Sequence, residues 1–458
     1  MEEQRKTEDL SSRIITRRRF LHGSAMTAAG LIAAPGILRA QNAGQKLRIA
    51  FVGTGGRAES HIGLANSENC VAYCDVDASH WGKIKAMAPN AKAYTDWRLM
   101  LDNHMNEIDA LIVATPDHSH ALPSLRAMRE GKHVYCEKPL TWSIEEARLM
   151  AETAARHKVA TQMGNQGHAN QGNRLVVEWI RDGAIGTVSE VHTWTNRPVW
   201  PQGNLKREPE AVPVDLNWDA WIGPAPYRER HKNLHGFGWR GWFDFGCGAV
   251  GDMGCHTWDN VYWAMNPDYP TAVELLAIEN KGTETFPSQS HFKWEFPAKG
   301  TRPAFTAHWY SGGMKPAVPE EILNDPGRDN KNLPGSGTLY IGSKGKLLVS
   351  GDYGDSPRLI PESFMKAYQR PEPSIPRSPG HMQEWLMASK GEKPWDFPGS
   401  NFSGYAGPLT EVMLLGAITE RIGEVGLRIE CDPVARRVKT KEALPYVTRE
   451  YRKGWELL

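Results

Sequence analysis

A chain of 458 residues is long enough for two domains of ordinary size, each with its own buried core. Its 54 lysines and arginines nearly cancel its 53 acidic residues, which excludes the strong basic field that nucleic-acid or acidic-membrane partners require and leaves a small molecule as the expected partner. The six cysteines (Cys70, Cys74, Cys136, Cys247, Cys255 and Cys431) show neither Cys-x-x-Cys pairing nor zinc-ligand spacing, so buried thiols are expected rather than a disulfide framework.

Residues 1–43 read as a leader. Thr16-Arg17-Arg18-Arg19-Phe20-Leu21 is a twin-arginine pattern, and the segment from Ala25 to Leu38 that follows is small-residue, weakly apolar and free of acidic residues. That segment is too short and alanine-rich for a comfortable membrane span. Cleavage near Ala40 and export to the periplasm or cell envelope are expected, with no stable span after processing. The twin-arginine route carries proteins already folded with their cofactor. It therefore accounts for an exported chain without disulfides and implies a tightly held cofactor.

The stretch from Leu47 to Asp75 organises the first domain. Leu47, Ile49, Ala50, Phe51 and Val52 break into Gly53-Thr54-Gly55-Gly56-Arg57-Ala58, and a second apolar run from Cys70 to Cys74 ends on Asp75. This reads as strand, tight turn, helix, strand. The glycines let the backbone turn and approach a pyrophosphate, the helix N-terminus supplies free N–H groups, and Ala58 permits close helix–strand packing. Asp75 is placed to accept hydrogen bonds from an adenosine ribose and to repel a 2′-phosphate, which favours NAD over NADP.

Further strands are expected at Ile108–Thr115, Lys132–Cys136 and Val159–Gly164, with helices at Ser119–Glu130 and Ser143–His157. Strands separated by helices imply parallel pairing, hence a doubly wound α/β nucleotide-binding domain over residues 46–166 with ligands beyond the carboxyl ends of its strands. Those ends carry Thr115-Pro116-Asp117-His118-Ser119-His120 and Glu137-Lys138-Pro139. The first is open to a plain reading as a helix start capped by Ser119. Lys138, pinned by the following proline, is expected to point into the cleft, the alternative being a surface ion pair with Glu137.

Residues 167–458 change character. After a helix at Gly172–Asp182, alternating runs at Val188–Trp194, Thr271–Glu279, Gln289–Phe296, Ala304–Trp309 and Gly337–Ser350 follow without intervening helices, as in an α+β domain with an open, largely antiparallel sheet. Ser311–Ser336 is loop-rich, and helices are expected at Gly380–Ser389 and Leu409–Gly423. The 17 tryptophans crowd between Trp179 and Trp309; core packing is the default for each, and indole faces in a sugar cleft the sharper alternative. The Gly246–Asp259 stretch carries Asp252 and His256 one helical turn apart, where the acid can orient the imidazole and tune it as a general base near working pH. The pair lacks a companion ligand motif, and no metal is expected.

Taken together, Gly53-Thr54-Gly55-Gly56, Thr115-Pro116 with His120, Glu137-Lys138-Pro139 and Gly251-Asp252-Met253-Gly254-Cys255-His256 resemble the Gfo/Idh/MocA family, the glucose-fructose oxidoreductase and inositol dehydrogenase group. The resemblance extends to the ending Ser400-Asn401-Phe402 through Gly407-Pro408-Leu409-Thr410-Glu411. It implies a nicotinamide-binding domain followed by an α/β domain whose open sheet makes homodimers or homotetramers. It places Gly53, Gly55, Gly56, Arg57, Asp75, Thr115, Pro116, His120, Glu137 and Lys138 on the cofactor side, and makes Lys138, Asp252 and His256 the catalytic set. The implied chemistry is oxidation of a sugar or glycoside hydroxyl, with His256 taking the hydroxyl proton, Lys138 stabilising the same oxygen, and Asp252 holding a neighbouring hydroxyl or orienting His256. The glucose-fructose enzymes instead favour a tyrosine as acid/base, a position that these motifs do not assign. The Trp-rich insert from Trp194 to Trp242, with Asn196, Arg197, His231 and His235, is expected to shape specificity. Alternatives are a redox-neutral glycosidase of similar fold and a non-catalytic sugar or nucleotide sensor.

Overall fold

Continuous apolar runs bounded by turns build the first sheet in the computed structural model, which describes residues 45–456. The twin-arginine segment lies outside the described residues. Six strands, β1 (Arg48–Val52), β2 (Asn69–Cys74), β3 (Lys92–Tyr94), β4 (Ala110–Val113), β5 (His133–Cys136) and β6 (Thr161–Met163), pair in parallel in the order β3-β2-β1-β4-β5-β6. β4 and β5 are buried at every residue, as strands covered on both faces must be. The order reverses direction between β1 and β4, and the crevice beyond their carboxyl ends is the switch point where such sheets bind ligands.

Two local features depart from expectation. β3 carries no apolar run, because it is a three-residue, largely exposed edge strand. The helix after the glycine turn is broken into a 3₁₀ stretch, Gly56–Ser60, and a single α turn, Leu64–Ser67. Gly63, Asn66 and Ser67 are poor helix formers, so nothing extends it. Helix Ile144–His157, by contrast, starts on a full capping box, in which Ser143 Oγ accepts from Glu146 N and the Glu146 carboxylate accepts from Ser143 N.

Strict alternation of buried and half-exposed residues builds the second sheet, most clearly in Gln289–Phe296. Its strands are β7 (Val188–Trp194), β8 (Ala272–Glu279), β9 (Gln289–Phe296), β10 (Phe305–Ser311), β11 (Gly337–Gly342), β12 (Lys346–Ser350), β13 (Ser356–Ile360), β14 (Arg428–Asp432) and β15 (Arg437–Val438), in the order β13-β12-β11-β7-β10-β9-β8-β14-β15. Pairing is antiparallel except between β7 and β10. The single run expected over 337–350 is a hairpin, and β13 to β15 are short outer strands whose pattern is too brief to read.

Helix Gly407–Ile422 is buried on almost every face and packs against Ile144–His157, the helix Gly248–Thr257 and β8. A Cβ on Gly254 would collide with Met413 Sδ, so that glycine lets the helix carrying Asp252 and His256 lie close to this central one. One hydrophobic cluster runs from the first sheet through these helices into the second. The other face of the first sheet is covered from far along the chain. Trp385 of helix His381–Ser389 packs there with Phe51 and Tyr135 and donates Nε1 to Ala160 O at 3.2 Å, and Met163 N donates to Ser400 O at 3.0 Å. Thirteen of the 17 tryptophans are buried, seven of them fully (Trp179, Trp194, Trp242, Trp258, Trp294, Trp309 and Trp385), so core packing accounts for most of the tryptophan excess. All six cysteines are unpaired and all but Cys70 buried. Among the described residues no helix is long and apolar enough to cross a membrane.

Candidate active site

A cleft of about 500 Å³ opens at the switch point. Gly53, Gly55, Gly56, Arg57, Asp75, Thr115 and Pro116 line it, as the motifs require. Gly53 has φ +91°, and a Cβ there would stand 2.6 Å from Ala114 O, so the turn closes against β4 only without a side chain. Ala58 is fully buried. Asp75 Oδ2 accepts from Thr54 N at 2.8 Å and Gly55 N at 3.2 Å, while Oδ1 accepts from Asp77 N at 3.0 Å and lies 3.3 Å from His80 Nδ1. Burial pushes the Asp75 pKa up, but His80 and these amides together hold it below the ordinary carboxylate value. Asp75 therefore shapes the turn as well as facing the cleft, and His80 joins it there.

Three residues assigned to the cofactor side stand just off the cleft. Buried Glu137 accepts from Arg57 Nε at 3.0 Å and lies 2.7 Å from His61 Nε2. Burial opposes its ionisation, yet these partners and the nearby Lys138 hold its pKa at about 2. It ties the glycine turn to β5, and the surface ion pair with Lys138 does not form. His120 is buried between Pro139 O and Thr115 O, each at 2.8 Å, and so laces the two strand-end motifs together. Lys138 turns toward the second domain, where Nζ donates to Asp252 O at 2.7 Å and Asp252 Oδ1 at 2.8 Å.

The helix Gly248–Thr257 brings Asp252 to Lys138, but it does not make Asp252 the partner of His256. The Asp252 carboxylate takes Lys138 Nζ and Arg240 Nε, the latter at 3.2 Å, because these two cations close on it from β5 and from the insert. Burial raises the Asp252 pKa and the two cations overcome that effect, leaving it at about 2. The one three-ligand cluster among the described residues, Glu190, His192 and His308, includes neither Asp252 nor His256. His256 is buried, its Nδ1 has no hydrogen-bond partner, and its ring sits 4.9 Å from that of Tyr353. Burial, helped by the Lys138 charge, pushes its pKa down to about 3. The imidazole is thus held neutral throughout the working pH range, rather than tuned near it. Asp117, buried and accepting from Cys247 N at 3.0 Å, is the group raised to about 7, by burial against the opposing pull of Lys138 and Arg240.

The insert supplies the facing wall of the cleft through Ala220, Trp221, His235, Gly236, Phe237, Trp239 and Arg240. Trp218 and Trp221 stack at 4.6 Å within a small core of the insert's own. Of the insert residues singled out in the sequence, His235 lines the cleft, whereas Asn196, Arg197 and His231 do not. Sequence reading misses Arg240, His80 and Tyr353. No local motif marks them, since each acquires its role from a partner in another element. The cleft fits a dinucleotide: an open glycine turn, an acidic residue at the end of β2, and the buried, unpartnered Thr115 Oγ1 at its wall.

Fold and site define an α/β protein of the dinucleotide-binding, oxidoreductase class. Residues 47–165 match the model of the oxidoreductase family's NAD-binding Rossmann fold, and residues 176–287 match its C-terminal alpha/beta domain. The chain belongs to the Gfo/Idh/MocA oxidoreductase family, and its first domain binds NAD. It is 28% identical over 161 residues to inositol 2-dehydrogenase 3 of Saccharopolyspora erythraea, covering 34% of this chain and 47% of that one. It is 26% identical over 201 residues to an alpha-N-acetylgalactosaminidase of Shewanella oneidensis, covering 38% and 44%. The matches thus span less than half the length of these curated relatives. The WlbA dehydrogenase of Bordetella pertussis, solved with NADH and UDP-GlcNAcA, shares the fold with a TM-score of 0.56 at 18% identity, covering 85% of this chain and 99% of that one.

Proposed function

We propose that this protein oxidises a hydroxyl of a sugar or glycoside, with NAD held in the switch-point cleft. The observation that carries the reading is the pair at the meeting of the domains: Lys138, fixed by two bonds to Asp252, beside the neutral imidazole of His256, whose Nδ1 has no hydrogen-bond partner. Bound NAD supplies a hydride acceptor for the carbinol carbon. His256 takes the hydroxyl proton as the carbon–oxygen double bond forms, and Lys138 stabilises the charge developing on that oxygen. Asp252, itself bonded by Arg240, holds Lys138 in place, and Tyr353 borders the imidazole as a second group able to move a proton. Glu137, Arg57 and His61 brace the glycine turn.

The insert wall over the cleft supports retention of NAD, in keeping with folding before twin-arginine export to the periplasm or cell envelope. The family resemblance supports assembly as a homodimer or homotetramer. The named activity of the Shewanella relative favours a second reading, a redox-neutral glycosidase in which the hydride returns to the substrate after cleavage. One experiment separates the readings. The purified, dialysed protein is mixed with a panel of sugars and glycosides while absorbance at ~340 nm and glycoside cleavage are followed. Absorbance rising without added NAD supports net oxidation with retained cofactor. Cleavage without net absorbance change supports the second reading, and silence in both together with no nucleotide released on denaturation overturns the proposal in favour of a sensor.

A further inference from the structure

The face of the second sheet turned away from its buried core carries a cluster that the proposed chemistry does not use. Strand alternation places Glu190 and His192 of β7, His308 and Tyr310 of β10, and His291 of β9 on one face. The register sets His308 beside His192 and His291 beside Tyr310. Glu190 Oε1 lies 2.9 Å from His192 Nε2 and 3.4 Å from His308 Nε2, and the three atoms all fall within 4.8 Å of one another. Bonds of ~2.0–2.1 Å at tetrahedral angles separate ligand atoms by ~3.4 Å, so small side-chain rotations bring this set onto one ion.

The far nitrogen of each ligand ring is also held. His192 Nδ1 is 3.1 Å from Tyr310 Oη, and His308 Nδ1 is 3.0 Å from His291 Nε2. Outer partners of this kind fix the tautomer and orientation of metal-binding histidines, and aim both Nε2 atoms at the Glu190 carboxylate. His192 and Tyr310 line an open cleft of about 670 Å³ bordered by residues 316–324, which brings water to the His192 side of the set.

We propose that Glu190, His192 and His308 bind a divalent transition cation of the zinc type, which clamps β7 to β10 and keeps one position for water. Two imidazoles and one carboxylate suit zinc, nickel or copper rather than magnesium or calcium. β7–β10 is the parallel pair in an otherwise antiparallel sheet, and parallel ladders are the weaker kind. No cysteine spacing or helical motif announces the site, because its ligands meet only through strand register.

The test uses the full chain, stripped with chelator and titrated with zinc chloride by calorimetry and elemental analysis, and with cobalt(II) by visible spectroscopy. The expected result is one equivalent of zinc per chain, a higher melting temperature on zinc addition, and cobalt bands of a low-coordinate site. Glu190→Gln and His308→Gln should each weaken binding by at least ~10-fold while leaving the metal-free melting temperature near the wild-type value. Zinc uptake far below one equivalent overturns the proposal, as does equal uptake by a His192→Gln, His308→Gln double variant, which would put the ion on other histidines. Should the variants unfold, X-ray absorption of zinc-loaded wild type decides: two imidazole ligands support the site, and none overturns it.

Discussion

Replacing Asp252 by Asn tests the junction between the two domains most directly. The carboxylate sits between Lys138 Nζ at 2.8 Å and Arg240 Nε at 3.2 Å, with side chains 12%, 14% and 17% exposed for Lys138, Asp252 and Arg240 respectively. Folding lowers its pKa from 3.8 to about 2. At about 1.4 kcal/mol per pH unit the ionised form therefore adds about 2 kcal/mol at neutral pH. Because the folded pKa is the lower one, that contribution is complete above pH 3.8 and is lost as pH falls from there to about 2. The amide also leaves two cations facing each other without their acid, which brings the expected loss to about 2–4 kcal/mol. For a body of this size that is a fall of about 2–5 °C in melting temperature. Lys138 keeps its bond to the Asp252 carbonyl but loses the carboxylate, so kcat should fall by roughly 10²-fold with NAD binding little changed. Calorimetry at pH 7 and pH 3, steady-state turnover and NAD titration read the three effects. An Asn variant with wild-type melting temperature and kcat would refute the ion-pair account.

Gly53→Ala should destabilise by about 2–3 kcal/mol and abolish cofactor binding, since the positive φ and the Ala114 carbonyl both oppose a Cβ; denaturant unfolding and nucleotide content check it. Asp75→Asn should weaken NAD binding by roughly tenfold and narrow the preference for NAD over NADP, read as the ratio of the two dissociation constants; an unchanged ratio would remove Asp75 from cofactor selection. For His256 the folded pKa of about 3 lies below the unfolded 6.5, so its contribution to stability is full above pH 6.5 and declines as pH falls toward 3. His256→Ala should accordingly lose sugar turnover by ~10²–10⁴-fold yet bind NAD normally. Burial raises the Asp117 pKa to about 7, so kcat/KM is expected to inflect near pH 7 and to lose that inflection in Asp117→Asn; its persistence there would assign it elsewhere.

What the chain determines locally was legible without coordinates. Uninterrupted apolar runs mark β1, β4 and β5, and period-two alternation marks β9, because each is a short-range consequence of burial. The glycine turn and the strand-end motifs identify the cleft for the same reason: their chemistry is packed into a few consecutive residues. Edge strands such as β3 and β15 escape, since too few residues carry a pattern. Side-chain partnership was decided only by tertiary structure. Asp252 and His256 share a helical face, and that spacing suggests a pair; yet Lys138 and Arg240, 114 residues before and 12 residues before Asp252, reach the carboxylate first and leave the imidazole neutral, with Nδ1 unpartnered. Arg240 and Tyr353 enter the site by packing between separate elements, as Glu190, His192 and His308 meet through the pairing of β7 with β10. Sequence spacing fixes which residues can share a face, whereas desolvation and charge among elements far apart in the chain decide which atoms meet and in what protonation state.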